Sequence, residues 1–323
     1  MANDQQSVWE GADTLSKPAT SGDKLFDRLF RGLTYTFTLA TVLLLAYILY
    51  EICGKALPAI SKLGFSYLYS TTWDVNAQHF GILPEIWGTL YSSLLALILG
   101  GFFGITIAVF LTQDFLPHKV QVVLKNIIEL LAAIPSVVYG LWGIYVLIPL
   151  IRPLADYLHA HFGWIPFFST SLSGPGMFPA ALVLAIMILP TVAAISQDAF
   201  LAIPHKTKEA AYGMGTTRWE AILRVLLPTA SGGIFGALVL GFGRALGETM
   251  ALAMLVGNAN QISLSVFSPA DTLAALLALN FPEASDYEIS VLMYAAVILL
   301  LITLLVNVAG AVIIAKTNSG GKK

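Results

Sequence analysis

Arg244 and Glu248 stand four residues apart in Gly241-Phe-Gly-Arg-Ala-Leu-Gly-Glu-Thr-Met250, inside an apolar stretch, residues 232–256, that carries no other charge. Insertion scales charge about 2.5–3.5 kcal/mol for a guanidinium at the bilayer centre, so such a group faces a protein interior or a watery path. Its planar paired donors match two oxygens of a tetrahedral oxyanion. A carboxylate one helical turn further on would hold it in a near-neutral pair between ions. Arg before Glu is the weaker order along a helix, which suits an exchangeable pair. The pair indicates passage of something polar, with Arg244 and Glu248 on its path, or else a purely structural salt bridge between helices.

Ser136 and Tyr139 follow Pro135 in another apolar stretch and offer hydroxyls to the same path, or to the backbone around them. Glu129, four residues after Lys125, suits either an interfacial ion pair or a path residue. The five histidines fall outside the apolar stretches, and the His159-x-His161 pair has no cysteine near it. No metal site is therefore expected, nor an intramembrane hydrolase built on histidine. The one cysteine, Cys53, cannot form an internal disulfide. No Gly-x-x-x-x-Gly-Lys-Ser/Thr occurs, so the chain has no phosphate-cradling loop with which to bind ATP.

The elements that must position these groups are membrane helices. The chain of 323 residues is 57% apolar and 11% charged, against about 25% charged in soluble domains. Six stretches reach the roughly 20 apolar residues that a bilayer requires: 33–53, 88–112, 126–150, 178–197, 232–256 and 291–315. An even number places both termini on one side. Thirteen of the 17 Lys and Arg fall in the tails and even-numbered loops, and three (Lys55, Lys62, Arg152) on the opposite face. That bias makes both termini cytoplasmic. The opposite face carries acids such as Glu85 and Asp271. A net charge of -2 gives no reason to expect nucleic acid.

Residues 1–32 are expected to be a retained cytoplasmic tail. Lys24–Arg31 within it forms either a short amphipathic helix on the lipid surface or a charged flank to the first span. Residues 33–315 make the permeating domain, and 316–323 a second cytoplasmic tail. Gly100, Gly101, Gly104, Gly236, Gly241, Gly243 and Gly247 suit close helix packing. Pro135 and Pro190 interrupt the third and fourth helices, by tolerance or because they line the path. In the external loop, 258–290, Ser268-Pro269 reads as the start of a short helix and Asn280-Phe-Pro282 as its stop.

The cytoplasmic loop 198–228 contains two short helices turned at Gly213–Gly215, and Thr217-x-x-Glu220 is a capping box opening the second. Here the chain resembles the permease subunits of bacterial ABC importers. Their signature is Glu-Ala-Ala, three residues, Gly, nine residues, an aliphatic, any residue, Leu and Pro. Glu209, Ala210, Ala211, Gly215, Val225, Leu227 and Pro228 match it in register. Glu129–Gly143 and Gly243–Ala251 further resemble the phosphate-specific permeases of the Pst system, the PstC type more than the PstA type.

The resemblance implies an all-α integral membrane protein with the six-helix, MetI-like fold of type I importers, in a bacterial inner membrane. It implies translocation of inorganic phosphate inward. The partners would be a second, PstA-type permease, a dimer of ATP-binding subunits docked on loop 198–228, and a periplasmic or extracellular phosphate-binding protein. ATP and Mg would be bound by the ATPase, leaving this chain without cofactor or catalytic residue. Molybdate or sulfate is the alternative cargo, because arginine discriminates these ions poorly. A channel or a membrane-embedded enzyme would need no ATPase-docking helix pair.

Overall fold

The computed structural model describes residues 21–113 and 115–320; the expected tail before Ser21 and the last three residues lie outside them. Almost everything is helix. α1 is Ser21–Leu63, so the amphipathic segment Lys24–Arg31 forms the opening turns of one continuous helix that also contains the first span. Residues 21–54 constitute a unit by themselves. Within it Thr34, Thr36, Thr38 and Thr41 return their hydroxyls to carbonyls four residues back, and Asp27 pairs with Arg31 at 3.2 Å.

The second unit, residues 55–320, begins with the end of α1 and the single turn α2 (Ser66–Tyr69). A hairpin of two-residue strands follows, β1 (Trp73–Asp74) and β2 (His79–Phe80), paired Trp73 to Phe80. α3 (Leu83–Thr112) crosses next, then α4 (His118–Ala133) and α5 (Ser136–Trp142), which passes through a π-turn, Gly143–Leu147, into α6 (Ile148–Phe162). α7 is Met177–Leu201 and α8 is His205–Gly213. α9 (Arg218–Ala221) runs through a π-turn, Ile222–Leu226, into α10 (Leu227–Leu246). α11 (Met250–Leu255), α12 (Leu273–Asn280) and α13 (Asp286–Gly320) complete the chain. Among the described residues six helical runs are long and apolar enough to cross a membrane.

Glycine lets these helices approach to backbone contact. A Cβ on Gly100 of α3 would lie 2.7 Å from the Ala185 carbonyl of α7, and one on Gly104 3.0 Å from Val192. Gly241 of α10 meets the same Val192, and Gly310 of α13 meets Val239. Small-residue packing of this kind, with hydrogen bonds, holds helices together where lipid removes the hydrophobic drive. The packing role expected of the glycine run in 241–247 is thus present at Gly241.

Two expected spans are broken, and each break has a local cause. Pro135 forces Ile134 into extended backbone (φ -72°, ψ 127°), so the third stretch divides into α4 and α5. Gly143 then rests on Leu255, whose carbonyl accepts from Gly176 N at the head of α7. α6 carries this third candidate span on to Phe162, with Ala155 clustered among Leu172, Val266 and Phe267 of the acidic-face loops. The fifth stretch stops at Leu246 and resumes at Met250. By contrast α7 continues through Pro190.

The acidic-face loop also differs from its reading. Ala270 pairs with Gly257 in a β-bridge and donates to Val256 O at 2.9 Å. Extended backbone there rules out a helix start at Ser268-Pro269. Thr272 takes the cap instead, accepting from Ala275 N at 3.3 Å, and the helix ends at Asn280 as expected.

Candidate functional site

The basic-face loop is the first part of the site. Gly213 ends α8, and Gly215 turns the chain with φ +81°, a left-handed conformation that L side chains rarely hold. Thr217 then caps α9 through both halves of a capping box: its hydroxyl accepts from Glu220 N at 3.3 Å, and its own N donates to Glu220 Oε2 at 3.0 Å. Of the signature residues, Ala211 is buried, Val225 and Leu227 half-buried, and Glu209, Ala210, Gly215 and Pro228 exposed. Ile203, Ile222 and Leu226 root the loop in a core with Ala108, Val109 and Phe200. Met214 at its tip is 85% exposed.

Pro228 does not end the second loop helix, although it can donate no hydrogen bond to Arg224 O. The π-turn just before it absorbs the lost contact. Arg218 to Leu246 therefore forms one rod of 29 residues, roughly 44 Å at 1.5 Å per residue. Its far end carries Arg244.

That end is where three irregular helices meet. Arg244 is exposed, in the last turn of α10, and its Nη1 donates to Thr191 Oγ1 at 3.3 Å. Thr191 lies midway along α7, one residue after Pro190. Arg244 also acts electrostatically on Tyr139 of α5. Tyr139 in turn donates to Leu131 O of α4 at 2.8 Å, bridging the Pro135 break. Beyond the other break, Ala251 and Met254 of α11 seat Gly140 of α5. A cavity of about 340 Å³ opens beside this junction, lined by Leu131, Ile134, Val138, Tyr139, Trp142 and Ile186.

The expected Arg244–Glu248 pair does not form. An i,i+4 pair needs continuous helix, and the helix unwinds at Gly247. Glu248 turns the other way and accepts from Ala251 N at 3.3 Å, at the start of α11. Each charge thereby sits at the helix end that favours it, the cation at a C-terminus and the carboxylate at an N-terminus. Ser136 is half-buried as the first residue of α5. Glu129 is not drawn in: it is exposed on α4 and pairs with Lys125 at 4.0 Å. His159 and His161 stand in the last turn of α6, their Nδ1 atoms engaged with Phe168 O and Tyr157 O.

A second polar group escaped the sequence. Glu85, in the first turn of α3, is fully buried and neither carboxyl oxygen has a partner among the described residues. Asp271 lies buried beside the same helix, accepting from Thr272 N at 2.7 Å. Loss of solvent raises its pKa to about 6, against the lowering pull of that amide. Thr89 ties the two segments together, donating to Glu85 O and accepting from Leu273 N at 2.9 Å.

Residues 100–317 match the family described as binding-protein-dependent transport system inner membrane component. A phosphate transport system permease protein PstC of Pasteurella multocida is 40% identical over 87% of this chain and 89% of its own length. The PstC of Haemophilus influenzae is 38% identical, covering 90% and 93%. Among solved structures, a bacterial ABC transporter involved in importing the acidic polysaccharide alginate superposes with a TM-score of 0.61 at 18% identity, over 91% of this chain and 99% of that one. The MetNI methionine ABC transporter, in inward-facing conformations, gives 0.54 at 19% identity over 73% and 95%. The last two likenesses establish the fold as that of ABC importer permeases.

Proposed function

This chain belongs to the family of binding-protein-dependent transport system inner membrane components, and from that premise we propose that it is the permease subunit of an ATP-driven importer of inorganic phosphate. The cargo follows from the PstC relatives at 34–40% identity. The observation that carries the path is Arg244: a permanent charge in the last turn of a membrane helix, beside the break at Gly247, yet exposed on the surface of its own fold. Lipid cannot cover it cheaply. A second spanning chain covers it, a PstA-type permease, and the anion passes between the two.

The partners follow the same logic. Both termini and the loop 198–228 face the cytoplasm of a bacterial cell, where basic loops collect. A dimer of ATP-binding subunits holds ATP and Mg and docks on Glu209, Gly215 and the exposed Met214. An external phosphate-binding protein delivers the ion on the acidic face. The continuous rod from Arg218 to Leu246 is the lever: closure of the docked ATPases moves one end, and Arg244 at the other shifts against Thr191. The breaks at Pro135 and Gly247 let neighbouring segments stay behind. Irregular backbone at membrane depth is tolerated where it lines a cavity or is buried in protein.

Labelled phosphate uptake into proteoliposomes holding the complete transporter tests this. Uptake should require ATP and the binding protein, and excess sulfate or molybdate should not suppress it. Glu209→Lys and Gly215→Asp should each abolish it, the second because any side chain strains a φ of +81°. Normal uptake in both variants removes the docking role, and preferential uptake of sulfate or molybdate removes the assignment of cargo.

A further inference from the structure

Threonines in the spans of this chain have a consistent habit. Thr89, Thr106, Thr112, Thr229 and Thr303 each donate the hydroxyl to the carbonyl four residues back, at 2.6–2.8 Å. Thr191 departs from it. Its Oγ1 accepts from Arg244 Nη1, 53 residues away, and its own proton has no acceptor among the described residues. Arg244 commits one of its five N–H groups there, and no carboxylate neutralises it among them.

The half-buried hydroxyl proton and the uncommitted guanidinium N–H groups form a cluster of donors lacking an acceptor. We infer that Thr191 is a second anion-contacting residue of the path, donating its O–H to one oxygen of the passing oxyanion while its lone pair orients Arg244 toward two others. This rests on the reading of Arg244 as a path residue.

The two neighbouring shapes of threonine separate this role from packing. Thr191→Val keeps the shape and loses the hydroxyl; Thr191→Ser keeps the hydroxyl and loses a methyl. In proteoliposomes with saturating binding protein, maximal phosphate uptake per assembled complex should fall about tenfold in Thr191→Val, the order of one hydrogen bond to a charged group, and remain within about twofold of wild type in Thr191→Ser. A packing role gives the reverse order and overturns the inference, as does normal uptake in Thr191→Val. Should the valine variant fail to assemble, Thr191→Ala replaces it: uptake equal to that of Thr191→Ser overturns the inference, and a tenfold lower rate supports it. Arg244→Gln in the same vesicles keeps the two levels distinct. If it is inactive while Thr191→Val is normal, only the role of Thr191 falls; if it transports normally, the path reading falls as well.

Discussion

The chain treats its two intramembrane or boundary acid–base groups in opposite ways. At the acidic end of α3, Glu85 and Asp271 are sealed among Gly88, Thr89 and Thr272, with no cation among their described neighbours. At the α10 break, Arg244 is exposed and tied by one 3.3 Å hydrogen bond. A carboxyl taken out of water can lessen the cost of a buried charge by binding a proton. Arginine has no such escape, since it does not lose its proton in proteins. The first region therefore belongs to the architecture, whereas the second is complete only when something outside the fold covers it. Substitutions should divide accordingly, the acidic knot changing stability and the break changing transport.

The largest effect tests the second half of that division. Arg244→Gln removes two or more charge-assisted hydrogen bonds to the ion, each about 1.5–3 kcal/mol, so maximal uptake should fall by roughly 100-fold or more. The amount of complex recovered from membranes should not fall, because a charge that is costly to insert has been removed. Recovery lost in proportion to uptake would make Arg244 a structural residue and erase the contrast. Gly88→Ala probes the other region. An added Cβ would overlap the Asp271 carbonyl oxygen, and backbone overpacking of this severity costs roughly 3 kcal/mol or more. The expected result is a lower thermal midpoint of the purified protein and poorer assembly, with normal uptake by what does assemble.

Arg244 and the basic-face loop were legible in the sequence for a physical reason. A charge within an apolar run is visible from composition, and the loop signature depends on local spacing. The course of Glu248 was not, because the i,i+4 pairing assumed continuous helix, and nothing apolar marks Gly247 as the place where it unwinds. Thr191 was invisible for another reason: its partner lies 53 residues away, and a threonine after proline in an apolar helix ordinarily bonds to its own backbone. In the sequence Glu85 and Asp271 show only as acids of the opposite face. Their burial depends on α3 meeting the acidic-face loop at Gly88, a contact between distant segments that no periodicity encodes.

The smallest effect sharpens the comparison through pH. Asp271 titrates near 6 in the fold against an ordinary 3.8, raised by burial. At pH below 3.8 the carboxyl keeps its proton folded and unfolded, so it contributes no difference. Between 3.8 and 6 the unfolded chain releases the proton first, and the fold loses stability as pH rises; above 6 the whole penalty stands. The gap corresponds to at most roughly 3 kcal/mol. Asp271→Asn retains an oxygen to accept from Thr272 N and carries no charge. Thermal unfolding of the purified protein should therefore show the asparagine variant more stable at pH 8, by about 2 kcal/mol, with the advantage shrinking steadily toward pH 4. A variant less stable at pH 8 would mean that the ionised Asp271 is needed as an ion, paired with a cation supplied from outside this fold. The acidic knot would then share the incompleteness of Arg244, and the division between a self-sufficient region and a dependent one would be lost.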